Sequence, residues 1–264
     1  TAGEDYSVWV LPNGTAQAVA DPFFAPASAP AAGALKIGGF HYGLVAPGAT
    51  VASGGFATTG TGMIWTQADV DLIAGIDAWS IWDLNYRPAC PNQRGMARTV
   101  GGAWLDIYFC NTDVDVNGSS RYNTNVASGT VLPKKPRAFG GDGAATYPDM
   151  TWWVASELAR AVGKRLPWEH EFVDAAFGVT EATAIGGASA TIPATGRAAG
   201  FTSRIGIEQA TGHIWTWGMD SGQAGETYSW QAITGGRGST YTTPHRRVLL
   251  GGDRSVGSNA GSRC

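Results

Sequence analysis

Polar and apolar positions alternate through Tyr6-Ser7-Val8-Trp9-Val10, and a second short apolar run follows the pair Asn13-Gly14. A period of two sends successive side chains to opposite faces of a strand, and Asn-Gly is a strong tight-turn pair, so residues 5–20 are expected to form a β-hairpin. Residues 21–34 are almost entirely Ala, Pro, Phe and Ser, a composition that neither alternates nor caps. It reads as a linker. Residues 1–34 are therefore taken as a hairpin and linker ending an upstream β domain, with residues 35–264 as the next domain.

Residues 36–42 and 79–84 are expected as strands flanking a glycine-rich loop, and residues 100–109 as another strand. The best helical spacing lies in residues 149–162, where Trp153, Val154, Leu158 and Val162 fall near one face. Asp149 is expected to cap that helix and Gly163 to stop it. Pro167 suits the first turn of a second helix running to Phe177 and ending at Gly178. Beyond residue 200 the pattern changes to short strands at 204–209, 213–217 and 247–250, with a further strand position at Tyr241 and a turn at Ala210-Thr211-Gly212. Two central helices followed by a β-rich, loop-rich half predict an α+β fold, and no repeat of fixed period is visible.

The 264 residues suffice for one large domain or two smaller ones. A net charge of −3 and a charged fraction of 15% supply no basic field for nucleic acid and no cationic face for an anionic membrane. No stretch reaches the roughly 18–20 apolar residues of a membrane span. Thr1-Ala2-Gly3-Glu4 lacks a signal-peptide pattern, so the chain is expected to be soluble and to start as a processed or excised piece would. The 38 Gly, 13 Pro and 11 Trp, set against 18 Lys and Arg, indicate loops and short strands around aromatic packing, as in an extracellular or virion surface protein. Cys90, Cys110 and Cys264 cannot form a closed disulfide framework, and none stands in a Cys-x-x-Cys pair.

Candidate chemistry is sparse. Glu169-His170-Glu171 carries metal-ligand residue types, but consecutive helical positions diverge by about 100°, so a helix start with acids near its positive end is the expected reading. Asp113, Asp115 and Asn117, with Gly118 at the sixth position, match the first half of a calcium loop. The twelfth position is Thr124, not Glu, so a polar turn is expected, with weak calcium binding as the alternative. His41, His170, His213 and His245 stand in no catalytic motif. Gly101-Gly102 and Gly140-Gly141-Asp142-Gly143 lack the Lys-Ser/Thr of a phosphate cradle and read as turns. Trp82, Trp104, Trp215 and Trp217 lie in apolar runs and read as core, although exposed rings would suit carbohydrate.

Several motifs recur in order: Gly38-Gly39-Phe40-His41-Tyr42, Trp82-Asp83-Leu84-Asn85-Tyr86-Arg87-Pro88, Arg94-Gly95-Met96, and Trp104-Leu105-Asp106-Ile107-Tyr108. Then follow Gly163-Lys164-Arg165-Leu166-Pro167 with Glu171-Phe172, Trp215-Thr216-Trp217-Gly218, Gly235-Gly236-Arg237-Gly238, and Gly251-Gly252 through Gly261-Ser262-Arg263. The series resembles the major tropism determinants of phages with diversity-generating retroelements and related tail-fibre tip proteins, from residue 5 to the end. That resemblance implies a C-type lectin fold, related to the formylglycine-generating fold but used for binding without catalysis. It implies a homotrimeric receptor-binding protein at the virion's tail-fibre tip. Its partners would be other tail-fibre proteins and a bacterial surface protein or glycan, with no nucleic acid, membrane insertion or cofactor. By position, Arg254, Ser255, Val256 and Asn259 are the implied receptor contacts; Arg237, Gly251, Gly252, Gly261 and Arg263 are implied scaffold. The family's variable segment continues past Gly-Ser-Arg and closes the fold with a strand. That strand is expected beyond Cys264, from a partner chain, or replaced by a different end. The rival readings are a structural fibre or baseplate component, and a formylglycine-generating oxidase, whose chemistry needs a reactive cysteine pair where only Cys264 stands.

Overall fold

The computed structural model describes residues 1–21, 28–56, 63–188, 191–221, 247–255, 257 and 260–262. The opening hairpin is β1 (Glu4–Val10) and β2 (Ala16–Ala20). Its turn is fixed locally: the Asn13 carboxamide oxygen accepts from the Thr15 amide at 3.0 Å, and Gly14 adopts φ 84°. Strand β3 (Leu35–Tyr42) pairs antiparallel with β1, and β4 (Trp82–Asp83) adds the other edge, giving the order β2-β1-β3-β4. The boundary expected after residue 34 therefore falls inside one sheet. Linker-like composition reports a break in regular structure, and it carries no information about which strand the chain pairs with on returning.

Other expected strands are shorter. Residues 79–84 divide into a 3₁₀ turn, Ala78–Ser80, and the two-residue β4. Within residues 100–109 only β6 (Trp104–Asp106) is extended; it pairs with β5 (Met96–Arg98) across a turn closed by the Thr99 amide on the Ala103 carbonyl. Residues 204–209 form no strand. Gly206 and Gln209 take positive φ, and Ile205, Ile207, Glu208 and Gln209 are all buried. Their apolar content serves the core, not a ladder. Strand β7 (Thr216–Ser221) starts later than expected and pairs with β8 (Arg247–Leu250). Tyr241 lies outside the described residues.

Among the described residues the helices are α1 (Gln67–Asp71), α2 (Val114–Asn117), α3 (Trp152–Ala161) and α4 (Glu169–Ala176). The cap of α3 is Thr151, whose hydroxyl accepts from the Val154 amide at 3.3 Å, while Asp149 lies exposed outside the helix. Trp153 also departs from the expected face and is 63% exposed. At 3.6 residues per turn it points about 140° away from Leu158, whereas Val154, Leu158 and Val162 form the buried stripe. Helix α4 begins after Pro167 and is followed by Gly178 at φ 103°. The Glu171 carboxylate accepts from the Trp168 amide at 2.9 Å, so the acids of Glu169-His170-Glu171 do stand at a helix start. None of these helices is long and apolar enough to cross a membrane.

Among the described residues three apolar clusters form the core. The largest joins Ile107, Phe172, Ala176, Ile205 and Leu250; a second surrounds Trp65, Val70 and Ile73; a third lies under α3 with Val114, Val154 and Leu158. Trp82 is buried as expected, while Trp104, Trp215 and Trp217 are half-buried. The first sheet is tied to the largest cluster by polar contacts. His41 Nδ1 lies 3.1 Å from the Asp5 carboxylate and Nε2 3.0 Å from the Tyr108 hydroxyl, and Asp5 also accepts from the Gly95 amide at 2.8 Å. Burial pulls the His41 pKa down, but Asp5, Asp77 and Glu208 outweigh it and the net shift is upward.

Candidate functional site

Strand β8 delivers the chain to a compact C-terminal turn. Leu250 is fully buried, and Gly251 at φ 85° and Gly252 at φ 77° reverse the direction. A side chain at Gly251 would also lie 2.9 Å from the Phe172 ring. The Gly251 carbonyl accepts from the Gly212 amide at 2.8 Å, whose own carbonyl accepts from Ile185 at 2.9 Å, so three distant segments are laced together. Isolated bridges join His213 to Asp253 and Gly251 to Gly261.

The far end of the turn is anchored by Glu181. Its carboxylate accepts from the Ser262 amide at 2.9 Å and from the Ser262 hydroxyl, and Ser262 is fully buried. Gly261 leaves the necessary room: a Cβ there would sit 2.1 Å from Glu181 Oε2. Bonds to a charged acceptor are among the stronger hydrogen bonds, so this end of the turn is rigidly held. Between the anchors, the Asp253 carboxylate accepts from the Ser255 amide at 2.7 Å and its hydroxyl at 2.8 Å, an Asx turn that leaves Ser255 exposed.

Arg254 is half-buried. Its guanidinium reaches His213 Nδ1 at 3.2 Å and lies against Gly187, where a Cβ would be 2.9 Å away. Burial, and secondarily Arg254, pushes the His213 pKa down to about 4. At neutral pH the imidazole is therefore uncharged and Nδ1 accepts from Arg254, because a guanidinium can only donate. The arrangement offers a fixed cation and a hydroxyl at a rigid turn, which suits recognition of polar or anionic groups. Val256 and Asn259 of the expected contacts, and Arg237 and Arg263 of the expected scaffold, lie outside the described residues, as does Cys264.

The other candidates do not assemble. Asp113 pairs with Lys134 at 2.7 Å, Asp115 accepts from the Arg137 amide at 2.8 Å, and the Asn117 oxygen accepts from Arg121 at 2.6 Å. Each of the three side chains is turned to a different protein partner, and residues 114–117 form the short helix α2. Among the described residues no group of three or more His, Cys, Asp or Glu side chains could hold a metal ion. Cys90 and Cys110 are free thiols. Burial pushes the Cys110 thiol up to about 12 and raises that of Cys90, which disfavours the nucleophilic thiolate.

Sequence reading missed Glu181, Gly187 and the role of His213. Glu181 lies 81 positions from Ser262 and no motif marks it. The Ala210-Thr211-Gly212 turn preceding His213 was the nearest local signal.

A family model described as the second domain of Mtd matches residues 1–66. Over 271 residues the chain is 40% identical to the tail fiber receptor-binding protein of Bordetella phage BPP-1, covering 100% of this chain and 66% of that protein. Its structure is similar to the solved Major Tropism Determinant P3c variant, with TM-score 0.78 and 39% identity, and to the M1 variant, with TM-score 0.79 and 38% identity. Each match covers 100% of this chain and 67% of the other. The α+β architecture is thus of the C-type-lectin-like kind found in those structures.

Proposed function

The chain belongs to the major tropism determinant family, and from that premise we propose that it is a tail-fibre receptor-binding protein that attaches a phage virion to its host. Its partner is a protein or glycan of the bacterial surface, met at the fibre tip by a homotrimer joined to other tail-fibre proteins, without catalysis. The observation that carries this reading is the C-terminal turn. It is pinned by Glu181–Ser262 at one end and by Gly251–Gly212 at the other, while Ser255 is exposed and Arg254 stands fixed beside it. A pre-ordered surface loses little conformational entropy on binding, so side chains displayed between rigid anchors can be exchanged without rebuilding the fold. We take Arg254 and Ser255, with Val256 and Asn259, as the receptor contacts, and Gly251, Gly252 and Gly261, with Arg237 and Arg263, as the proposed scaffold.

The purified chain should compete with the virion for adsorption to host cells. Arg254→Ala and Ser255→Trp should each weaken that competition at least tenfold without changing thermal stability by more than a few degrees. A chain that leaves adsorption untouched, or variants that compete as well as the parent, would refute the assignment.

A further inference from the structure

A half-open cavity of about 590 Å³ lies, among the described residues, where the largest core cluster faces the one under α3. Leu158, Ile107, Phe172 and Ala210 line its walls, and Trp215 and Trp217 complete the lining. We propose that this cavity is a binding site for a neutral, apolar small molecule, a function separate from recognition at the C-terminal turn and independent of it. The volume is that of a pocket for a drug-sized ligand, and such sites are lined mainly by apolar and aromatic side chains, as this one is.

Charge selects the ligand class. Among the described residues the two cations on the lining are each neutralised: Lys164 by Asp106 at 2.5 Å, with a further bond to Ser119 at 3.0 Å, and Arg165 by Glu171 at 2.5 Å. Glu208 is turned to the Thr202 hydroxyl at 2.7 Å and to Arg197 at 3.9 Å, and burial pushes the Cys110 thiol up to about 12, so neither offers the cavity a free charge. Among the described residues a carboxylate or phosphate head group would find no uncompensated cation, and it would lose part of its hydration. The occupant is an uncharged aromatic or aliphatic molecule, with the indoles of Trp215 and Trp217 as reporters of its arrival.

The test uses N-phenylnaphthylamine, which is neutral, and its sulfonated anionic analogue, each titrated into the full chain by fluorescence. The neutral probe should saturate at one molecule per chain and bind at least tenfold more tightly than the sulfonate. Ala159→Phe, which fills the cavity from α3, should weaken the neutral probe at least tenfold while the far-ultraviolet circular dichroism is kept. Should that variant misfold, the parent chain supplies a second measurement, because Cys90 also lines the cavity. Saturating probe should slow alkylation of Cys90 by N-ethylmaleimide at least fivefold, followed by peptide mass spectrometry. Equal binding of both probes, non-saturating binding, or an unchanged Cys90 rate would each overturn the proposal.

Discussion

Replacing Gly261 with Ala tests the anchor of the C-terminal turn. The added Cβ would stand 2.1 Å from Glu181 Oε2, and reaching ordinary contact at 3.4 Å requires a shift of 1.3 Å, the difference between the two. Such a shift takes the carboxylate out of reach of the Ser262 amide, now at 2.9 Å, and disturbs the hydroxyl bond beside it. Hydrogen bonds to a charged group contribute about 1.5–3 kcal/mol each, and Ser262 is buried, so Gly261→Ala should cost about 3 kcal/mol. A domain of this size should then lose roughly 6–12 °C in Tm and still fold. In a Glu181→Ala background the nearest remaining atom is the Ala182 nitrogen at 3.8 Å, so the same substitution should cost less than about 0.5 kcal/mol. Urea denaturation of the four proteins measures the coupling, expected at about 2–3 kcal/mol. An additive cycle, or a Gly261→Ala protein as stable as the parent, would show that the turn is not held by this contact.

Thr151→Ala should destabilise the chain by about 1 kcal/mol while Asp149→Ala changes nothing, a contrast that thermal denaturation resolves and that equal effects would contradict. Asp21 is 3% exposed, accepts from Ser7 at 2.9 Å and pairs with Arg94 and Lys36. Asp21→Ala should therefore cost about 3 kcal/mol, because it leaves the largely buried Arg94 without this partner, whereas the more exposed Arg165–Glu171 pair should be worth under about 1 kcal/mol in a double-mutant cycle. Burial pushes Glu208 from its ordinary 4.5 up to about 8 and Asp77 from 3.8 up to about 7. Between those limits the folded chain keeps protons that the unfolded chain has released. Stability from these groups is therefore full below pH 4 and is lost as pH rises toward 8. Urea midpoints measured from pH 5 to 8 should fall, and Glu208→Gln should flatten the decline; an unchanged slope would remove Glu208 as its cause.

The sequence by itself determined what short-range chemistry decides. The Asn13-Gly14 hairpin, the glycines after the two central helices and the acids at the start of α4 all depend on residues within a few positions, and each was readable there. The ordered motifs likewise carried the family. Tertiary structure decided whatever depends on which remote segment arrives. β3 returns to β1 across the linker-like stretch, residues 204–209 fill the core in place of pairing, and Trp153 turns outward. The C-terminal turn depends on the same kind of meeting: Glu181, His213 and Gly212 come from separate parts of the chain to hold residues that propensity marks only as loop. The physical reason is that periodicity and turn chemistry report the conformation of a backbone segment, whereas an anchoring carboxylate is selected by the space and the unsatisfied donors another segment presents, and those exist only once both are packed.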